Sequence, residues 1–338
     1  MSPVLKLIVP ESASLLSTLL ADPRATETLP GFYRYCSKAA GSVVRTEDPY
    51  CNVARQLGLM FHSDDAFPHA AYSRYVTDRQ STAAVWLKLS PVQYTSASSG
   101  LILHQIDPNQ LSQEEIDQLT DLLQTVAVES NISVETSADG AWLVNAEQHS
   151  SIETIPLYGV RDKPVALHLP AGQGATFWAR WLAECEMTLH DHAFNREREN
   201  RGLPPVSGFW LWGGGPLPDA TPTALPAQLL TTDLALQGMA LRHGVGTAGF
   251  HLSDMDTNTT LVVAADLTLT ASQRSAEDLM QWLTWLDEEW LRPALQMLAR
   301  GRLSSLQLID PAGGAAWRLN RIDLKKFWRT RPAFPNRI

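Results

Sequence analysis

Two polar side chains, Asn195 and Arg198, stand three residues apart in a segment with helical spacing, so they share one helix face. An arginine placed there could hold a phosphate or a carboxylate through two parallel hydrogen bonds. The surrounding residues alternate in charge from Arg196 to Glu199, which is also typical of a solvated charged turn. The spacing therefore predicts either an anion-binding side chain or an exposed turn.

Histidines and carboxylates that could bind a metal ion are spread over the second half of the chain. His190 and His192 stand two residues apart, about 200° around a helix, so they cannot chelate one ion locally if the segment is helical. Glu186 and His190 are better spaced, but two ligands without companions do not define a metal site. We therefore favour packing or capping roles for these histidines. The candidate ligands for a metal ion are His190, His243, His251, Asp254, Asp256 and Asp266.

Two apolar runs end at positions where a site could form. The run 209–212 is apolar on both faces, as expected of a strand buried on both sides, and Gly213–Gly215 follow it. Glycines there let the backbone approach a ligand or another chain segment closely, although the turn lacks the P-loop and dinucleotide-binding patterns. Asp266 follows the apolar run 261–265, where α/β enzymes often place a functional carboxylate.

The order of these elements predicts an α/β protein with a mostly parallel sheet flanked by helices and an added α+β module. We expect residues 1–80 and 171–338 to form the N-terminal and C-terminal parts of the α/β core, and residues 81–170 to form the module. The strand at 209–212 is assigned to the core.

Local patterns place the helices more closely. Apolar residues at intervals of three and four from 177 to 194 predict one helix, which Thr176 could cap. Ser112 and Glu115 have the spacing of a capping box, and Pro293 is expected to kink a long C-terminal helix.

Bulk composition is ordinary for a globular protein of 338 residues, with 44% hydrophobic and 19% charged residues. No apolar run is long enough to span a membrane, and the first residues do not have the pattern of a signal peptide. The three cysteines fit neither a disulfide framework nor a zinc site. These features predict a cytoplasmic protein that does not bind membranes.

Charge is distributed unevenly along the chain. Residues 318–338 contain seven basic residues and one acid, a net charge of +6, which leaves −15 for residues 1–317 out of a total of −9. The segment could be an arm that binds anions or nucleic acid. It could instead dock on the acidic body with Phe327 and Trp328 inserted. We favour docking because the segment carries its own apolar anchors, and a nucleic-acid partner is therefore not expected.

A longer pattern carries a family resemblance. It runs Asn195-x-x-Arg198-x-x-x-Gly202-x-Pro-Pro and continues as Trp210-Leu-Trp-Gly-x-Gly215. It resembles the RPFE-type bacterial regulatory proteins, which are in turn similar to archaeal-type cofactor-independent phosphoglycerate mutases of the alkaline phosphatase superfamily. The resemblance implies an alkaline-phosphatase-like core, intact or degenerate, and a regulatory role. Ser207 stands where that family usually has asparagine.

The same resemblance implies what a catalytic member would need. Mutases of the superfamily hold two metal ions with several Asp and His side chains, and the first ligand follows the first strand. Here that turn reads Val9-Pro-Glu-Ser12, without aspartate, and no Asp-His pair follows Asp266. A serine or threonine nucleophile cannot be placed.

We therefore expect a non-catalytic regulatory or binding protein with no cofactor and no metal, whose partner is a small anionic ligand or another protein. The expected ligand-binding residues are Asn195, Arg198, Gly202, Trp212, Gly213, Gly215 and Asp266. The first alternative is a metal-dependent phosphoglycerate mutase or phosphatase-like enzyme. The second is a nucleic-acid-associated factor that uses the basic C-terminal segment.

Overall fold

The computed structural model describes residues 3–22, 24–61, 66–79, 85–106, 111–145, 149, 151–160, 163–223, 226–247, 252, 259–264 and 276–335. The chain divides into two compact units. The first unit comprises Met1–Asp65 and Ala220–Ile338, and the second comprises Ala66–Asp219. The boundaries predicted at 80 and 170 do not coincide with this division, because residues 171–219 lie in the second unit.

The first unit contains a seven-stranded sheet. Its strands are β1 (Val4–Ile8), β2 (Ala40–Val43), β8 (Ala227–Leu230), β9 (Gly246–Thr247), β10 (Thr260–Val263), β11 (Ser305–Asp310) and β12 (Ala315–Asn320). Their spatial order is β2-β12-β11-β1-β10-β8-β9. Among the strands in the described residues of this sheet, only β12 runs against the direction of the others. A mostly parallel sheet is thus confirmed, and β11 and β12 form an antiparallel hairpin within it.

Helices flank this sheet. They are α1 (Ser12–Leu19), α2 (Ala25–Thr28), α3 (Pro30–Lys38), α4 (Pro49–Gln56), α10 (Leu234–His243), α11 (Ala276–Trp285) and α12 (Arg292–Ala299). A π-helical turn, Leu286–Leu291, joins α11 to α12. Pro293 lacks the N–H that would continue the regular hydrogen-bond ladder, so the widened turn precedes it. The structure shows a π-helical turn just before Pro293, and the kink expected at Pro293 stays a prediction.

The second unit contains an antiparallel sheet of five strands. They are β3 (Leu87–Ala97), β4 (Gly100–Gln105), β5 (Ser133–Thr136), β6 (Trp142–Asn145) and β7 (Gly208–Trp212). The order is β4-β3-β6-β5, and β7 pairs antiparallel with β3. The assignment of the run 209–212 to the parallel core is therefore wrong. An apolar run on both faces shows that both faces are covered, and it does not give the direction of the neighbouring strands.

Both faces of β7 are indeed covered within this unit. Phe209 and Leu211 pack into a cluster that includes Trp178, whereas Trp210 and Trp212 pack into a second cluster. The helices of the unit are α5 (His69–Thr77), α6 (Gln113–Glu129), α7 (Leu157–Val160), α8 (Ala175–His190) and α9 (Ala193–Asn200).

The single helix predicted over 177–194 is two helices, α8 and α9, with a break at Asp191 and His192. Thr176 does not cap it, because α8 begins after Gly174 without a side-chain hydrogen bond. His192 caps α9 instead: its Nδ1 accepts a hydrogen bond of 3.2 Å from the backbone N–H of Phe194. The capping role favoured for a histidine here is thus confirmed. The capping box of Ser112 and Glu115 at the start of α6 is also confirmed.

The basic C-terminal segment docks on the first unit mainly through its main chain. Lys38 Nζ donates to the carbonyls of Lys326 and Arg329 at 2.6 Å each. Trp317 Nε1 donates to the carbonyl of Ala333 at 3.1 Å, and Phe334 packs against the Trp317 ring. The predicted insertion of Phe327 and Trp328 is wrong, since their exposed fractions are 81% and 64%. None of the helices in the described residues is long and apolar enough to cross a membrane.

Candidate functional site

The carboxyl edge of the parallel sheet in the first unit is the place where α/β proteins usually bind ligands. Asp310 ends β11 at this edge and is fully buried. Its Oδ1 accepts hydrogen bonds from the backbone N–H groups of Glu11 at 2.8 Å and Gly313 at 2.6 Å, and its Oδ2 accepts one from Ala13 at 2.9 Å. Asp310 therefore ties the turn after β1 to the turn between β11 and β12.

The Asp310 carboxylate occupies the position at the N-terminus of α1 where an anion would otherwise bind. Free N–H groups at a helix N-terminus attract anions, and here two of the amides of that turn already bind Asp310. Glu11, the residue before α1, has φ 60°, a left-handed conformation that costs a non-glycine residue about 1 kcal/mol or more. The carboxylate holds the backbone of Glu11 in this conformation.

Two further aspartates follow strands at the same edge and also cap helices. Asp233, after β8, accepts a hydrogen bond from Leu236 N–H at 2.9 Å and another from the Tyr50 hydroxyl at 2.7 Å. Asp48, after β2, accepts bonds at 2.8 and 3.0 Å from the first amides of α4. The described carboxylates at this edge thus bind amides and a phenol, and they stabilise helix starts.

The predicted metal ligands are only partly described. His190 is exposed at the end of α8 in the second unit. His243 is buried at the end of α10 in the first unit, with its Nδ1 3.3 Å from the backbone nitrogen of Thr221. Burial lowers the pKa of His243 and outweighs the backbone hydrogen bond that raises it. The remaining candidates, His251, Asp254, Asp256 and Asp266, lie outside the described residues.

A two-metal site needs several Asp and His side chains facing one cavity with free oxygens and nitrogens. Within the part of the chain that the structure describes, no three His, Cys, Asp or Glu side chains form a group that could hold an ion. The oxygens of Asp310 and Asp233 accept hydrogen bonds from amides and a phenol. The described residues therefore do not fit a two-metal centre.

Asn195, the first residue predicted to bind a ligand, is buried on α9 and makes three hydrogen bonds of 2.9 Å. Its Nδ2 donates to the carbonyls of Leu189 and Val206, and its Oδ1 accepts the backbone N–H of Val206. These bonds join the end of α8 to the segment that enters β7. The amide of Asn195 therefore fixes the chain path before the strand.

Arg198 is buried one turn further along α9. Its Nη1 donates to Oε1 of Glu115 at 2.8 Å, and its Nε donates to the carbonyl of Pro204 at 2.9 Å. The solvated-turn interpretation is wrong for this side chain, of which only 3% is exposed. The guanidinium does bind a carboxylate, but that carboxylate belongs to α6 of the same unit.

The pair is not isolated, because Arg201 Nη1 also reaches the same carboxylate at 3.2 Å. Burial by itself would raise the pKa of Glu115. The hydrogen bond from the Ser112 amide and the charges of Arg198 and Arg201 outweigh burial, so the pKa is lowered. Glu115 is thus held as a carboxylate that caps α6 and binds α9. The capping-box pattern located this residue but gave no sign of its second partner.

Trp212 and the glycines form a corner at the far end of β7. Trp212 Nε1 donates to Ser90 Oγ at 2.9 Å, and its ring centroid lies 4.7 Å from that of His69. The carbonyl of Gly213 accepts the N–H of Ala70 at 3.0 Å. Of the two roles predicted for these glycines, the structure shows the close approach of another chain segment, the start of α5.

His69 is the residue of this corner that the sequence patterns missed. It is buried, and burial, with a further effect from the charge of Lys88, lowers its pKa well below the ordinary value. The Tyr158 hydroxyl lies 3.4 Å from its Nε2. A lone histidine between aromatic residues has no sequence signature, so only the packing of Trp212 reveals it.

Those predicted site residues that the structure describes, which leaves out Asp266, fall into two groups. Asn195 and Arg198 lie near the beginning of β7, whereas Trp212, Gly213 and Gly215 lie at its end. A five-residue strand separates these groups by about 13 Å. Gly202, which follows α9, has no other atom within 4 Å of the position that a Cβ would take. The structure therefore does not bring these residues into one pocket.

A pair of glycine substitutions tests the close approach at the corner. Gly213 and Gly202 have nearly the same φ, +70° and +71°, but a Cβ at Gly213 would lie 2.9 Å from the Cβ of His69. We expect Gly202→Ala to lower the free energy of unfolding by about 1 kcal/mol and Gly213→Ala by about 3 kcal/mol, because only the second adds overpacking to the backbone cost. Urea denaturation measures both, and equal losses would contradict the role of the corner.

Comparisons with known proteins give short sequence matches. No family model matches the chain. Over 82 residues it is 29% identical to a 2,3-bisphosphoglycerate-independent phosphoglycerate mutase 2 of Methanothermobacter thermautotrophicus, covering 24% of this chain and 20% of that protein. Over 114 residues it is 25% identical to a 2,3-bisphosphoglycerate-independent phosphoglycerate mutase of Methanosarcina barkeri, covering 33% of this chain and 29% of the relative. The matches thus span less than a third of either relative.

A solved structure, a cofactor-independent phosphoglycerate mutase of Thermoplasma acidophilum, aligns over 94% of this chain and 89% of its own, with 11% identity and a TM-score of 0.41. The sequence relatives are named as mutases. Similarity to the RPFE-type regulatory family stays a prediction.

Proposed function

We propose that this chain is a non-catalytic binding or regulatory protein built on a scaffold like that of phosphoglycerate mutases. The observation that supports this most is the carboxylate of Asp310. It accepts two hydrogen bonds from backbone amides of the turn after β1 and a third from the turn between β11 and β12. In the enzymes that the sequence resembles, the turn after β1 supplies a metal ligand. In this chain Asp310 instead connects that turn to the turn between β11 and β12. This edge of the sheet therefore has a structural use other than holding metal ions.

Of the two partner classes that the sequence predicts, we favour a protein. A small anion near α9 would compete with Glu115 for Arg198, and an anion at α1 would compete with Asp310 for the amides. In each case a buried carboxylate is already in the anion's place. A protein partner does not need an unoccupied anion-binding position, because it can bind an exposed surface. A cytoplasmic location is part of the same proposal.

An activity panel tests the non-catalytic proposal. We expect no interconversion of 2- and 3-phosphoglycerate and no hydrolysis of p-nitrophenyl phosphate above background with Mg²⁺, Mn²⁺, Co²⁺ or Zn²⁺. Asp266→Asn is the matched variant, because it removes the carboxylate that follows β10 in the sequence and keeps the side-chain size. Turnover that depends on a metal and is lost in Asp266→Asn would contradict the proposal.

The second candidate is a metal-dependent mutase or phosphatase, and the names of the sequence relatives favour it. Its ligands would come from His190, His243, His251, Asp254, Asp256 and Asp266. His190 and His243 belong to different units. If this candidate is right, single alanine variants at the carboxylates should abolish turnover without lowering thermal stability, whereas Asp310→Ala should lower both.

A further inference from the structure

An exposed aromatic pair stands among basic residues near the end of the first unit. Phe327 and Trp328 are mostly exposed, and their rings pack edge to face with centroids 5.2 Å apart. Lys325, Arg329 and Arg331 flank them and are exposed as well. We call these five residues the C-terminal patch. Two adjacent exposed aromatic rings are unusual on a protein surface that binds nothing.

The C-terminal patch is held in place by contacts on both sides. Lys38 Nζ binds the carbonyls of Lys326 and Arg329, and Arg329 Nη1 lies 3.4 Å from the carbonyl of Lys38. Lys326 also pairs with Asp323. These contacts fix the backbone around the two rings. The backbone of the patch is therefore held at a defined position, and the two rings are exposed on the surface.

A groove of opposite charge lies on the same unit. It is a cavity of 730 Å³ lined chiefly by Glu277, Met280, Gln281, Trp285, Glu288 and Glu289. Residues 276–291 contain five acids and no basic residue, and the next residue, Arg292, pairs with Glu288 at 2.7 Å and with Asp287 at 2.9 Å. We call this the acidic groove.

The acidic groove also offers an apolar floor. Trp285 is 37% exposed, and Met280 is partly buried beside it. The π-helical turn directs Asp287 inward, where its carboxylate accepts the backbone N–H groups of Gly31 and Phe32 at 3.1 and 2.6 Å. Glu277 and Glu289 remain exposed at the rim, whereas the exposed Glu288 is already paired with Arg292. The groove thus combines apolar contact area with carboxylates at its edge.

We propose that the C-terminal patch of one copy of this chain docks into the acidic groove of a second copy. Phe327 and Trp328 would cover Trp285 and Met280, while the basic residues face the glutamates. Each copy carries both surfaces on one compact unit, so two copies related by a twofold axis can make the contact twice. In such a contact the buried apolar side chains contribute affinity, and the complementary charges fix how the two copies align.

Charge favours a second copy over a polyanion. Residues 1–317 carry a net charge of −15, and this field repels a long nucleic acid or an anionic membrane from the body of the protein. A second copy offers a local acidic surface with apolar side chains, which matches both parts of the patch. The test must therefore distinguish docking on a second copy from binding to single-stranded nucleic acid.

Sedimentation equilibrium of the full chain with charge-reversed variants tests this proposal. The patch variant is Lys325→Glu with Arg331→Glu, and the groove variant is Glu277→Lys with Glu289→Lys. None of these four residues contacts Asp310 or the Arg198–Glu115 pair in the described part of the chain. Arg34→Glu with Arg300→Glu is the control, since it makes the same charge change as the patch variant at exposed positions of the same unit.

We expect the wild type and the control to dimerise, and the patch and groove variants each to dimerise at least tenfold more weakly at low salt. Mixing the patch variant with the groove variant should restore a dimer, because the reversed charges match across that contact. A monomeric wild type, dimerisation unaffected by either variant, or failure of the mixture would overturn the proposal. Retention on single-stranded DNA by a monomeric wild type, lost in the patch variant, would also overturn it.

Discussion

Replacing Arg198 with alanine is expected to lower the free energy of unfolding by about 3–5 kcal/mol. The variant leaves the carboxylate of Glu115 buried and without its main charged partner, and it also removes the donor to the Pro204 carbonyl. Arg201 still reaches Glu115 from a more exposed position, so it compensates only in part. Chemical denaturation followed by tryptophan fluorescence measures the loss.

Arg196→Ala is the matched control for this prediction. Arg196 lies on the same helix, is exposed, and loses no contact with a buried group, so we expect a change within about 0.5 kcal/mol. An Arg198→Ala variant as stable as Arg196→Ala would show that the buried pair does not hold α6 and α9 together. Arg198 would then again be a candidate ligand-binding residue.

The same pair gives stability a defined pH dependence. The pKa of Glu115 is lower in the folded chain than its ordinary value, so the unfolded chain binds more protons as pH falls. The stabilisation is therefore complete above the unfolded pKa and is lost as pH falls through the folded pKa. Arg198→Ala should show a shallower loss of stability at acidic pH than the wild type. Parallel slopes in the two proteins would contradict this assignment.

The second large effect is expected at Asp310. Asp310→Ala removes the buried acceptor of three partly buried backbone N–H groups, and we expect a loss of about 3–5 kcal/mol because hydrogen bonds to charged groups are strong and unmet amides are costly. Asp310→Asn keeps one acceptor oxygen and should lie between the wild type and Asp310→Ala. Thermal and urea denaturation give the order directly.

Glu11→Gly serves as the control for the Asp310 variants. It keeps the amide that donates to Asp310 and removes the cost of a left-handed conformation at a non-glycine residue. We therefore expect it not to destabilise the chain. If Glu11→Gly and Asp310→Ala were equally destabilising, the side chain of Glu11 and not the carboxylate of Asp310 would be holding the turn.

Much of the fold was predictable from local patterns. The capping box at Ser112, the hairpin of β11 and β12 and the mostly parallel sheet all follow from spacing rules that depend on neighbouring residues. The strand β7 was found at its correct position for the same reason. Its sheet was assigned wrongly, because the sequence of a buried strand does not record which strand it pairs with.

The site was less predictable because its contacts join residues far apart in the chain. Arg198 and Glu115 are separated by 83 positions, and Asp310 and Glu11 by 299. Sequence patterns indicated that Arg198 suits a carboxylate, but only the fold shows that the carboxylate is internal. The exposure of Phe327 and Trp328 was mispredicted for a related reason: Phe334, further along, provides the apolar anchor instead.

Calorimetric titration of the metal-free chain with Mn²⁺, repeated with Zn²⁺, tests whether this edge of the sheet holds catalytic metal ions. Asp310 connects two turns at this edge, and we propose that the edge does not serve phosphoryl transfer. We therefore expect no tight stoichiometric binding of either ion to the wild type and an identical trace for Asp266→Asn. Tight binding of two ions per chain, lost in Asp266→Asn and accompanied by phosphoglycerate turnover, would contradict it.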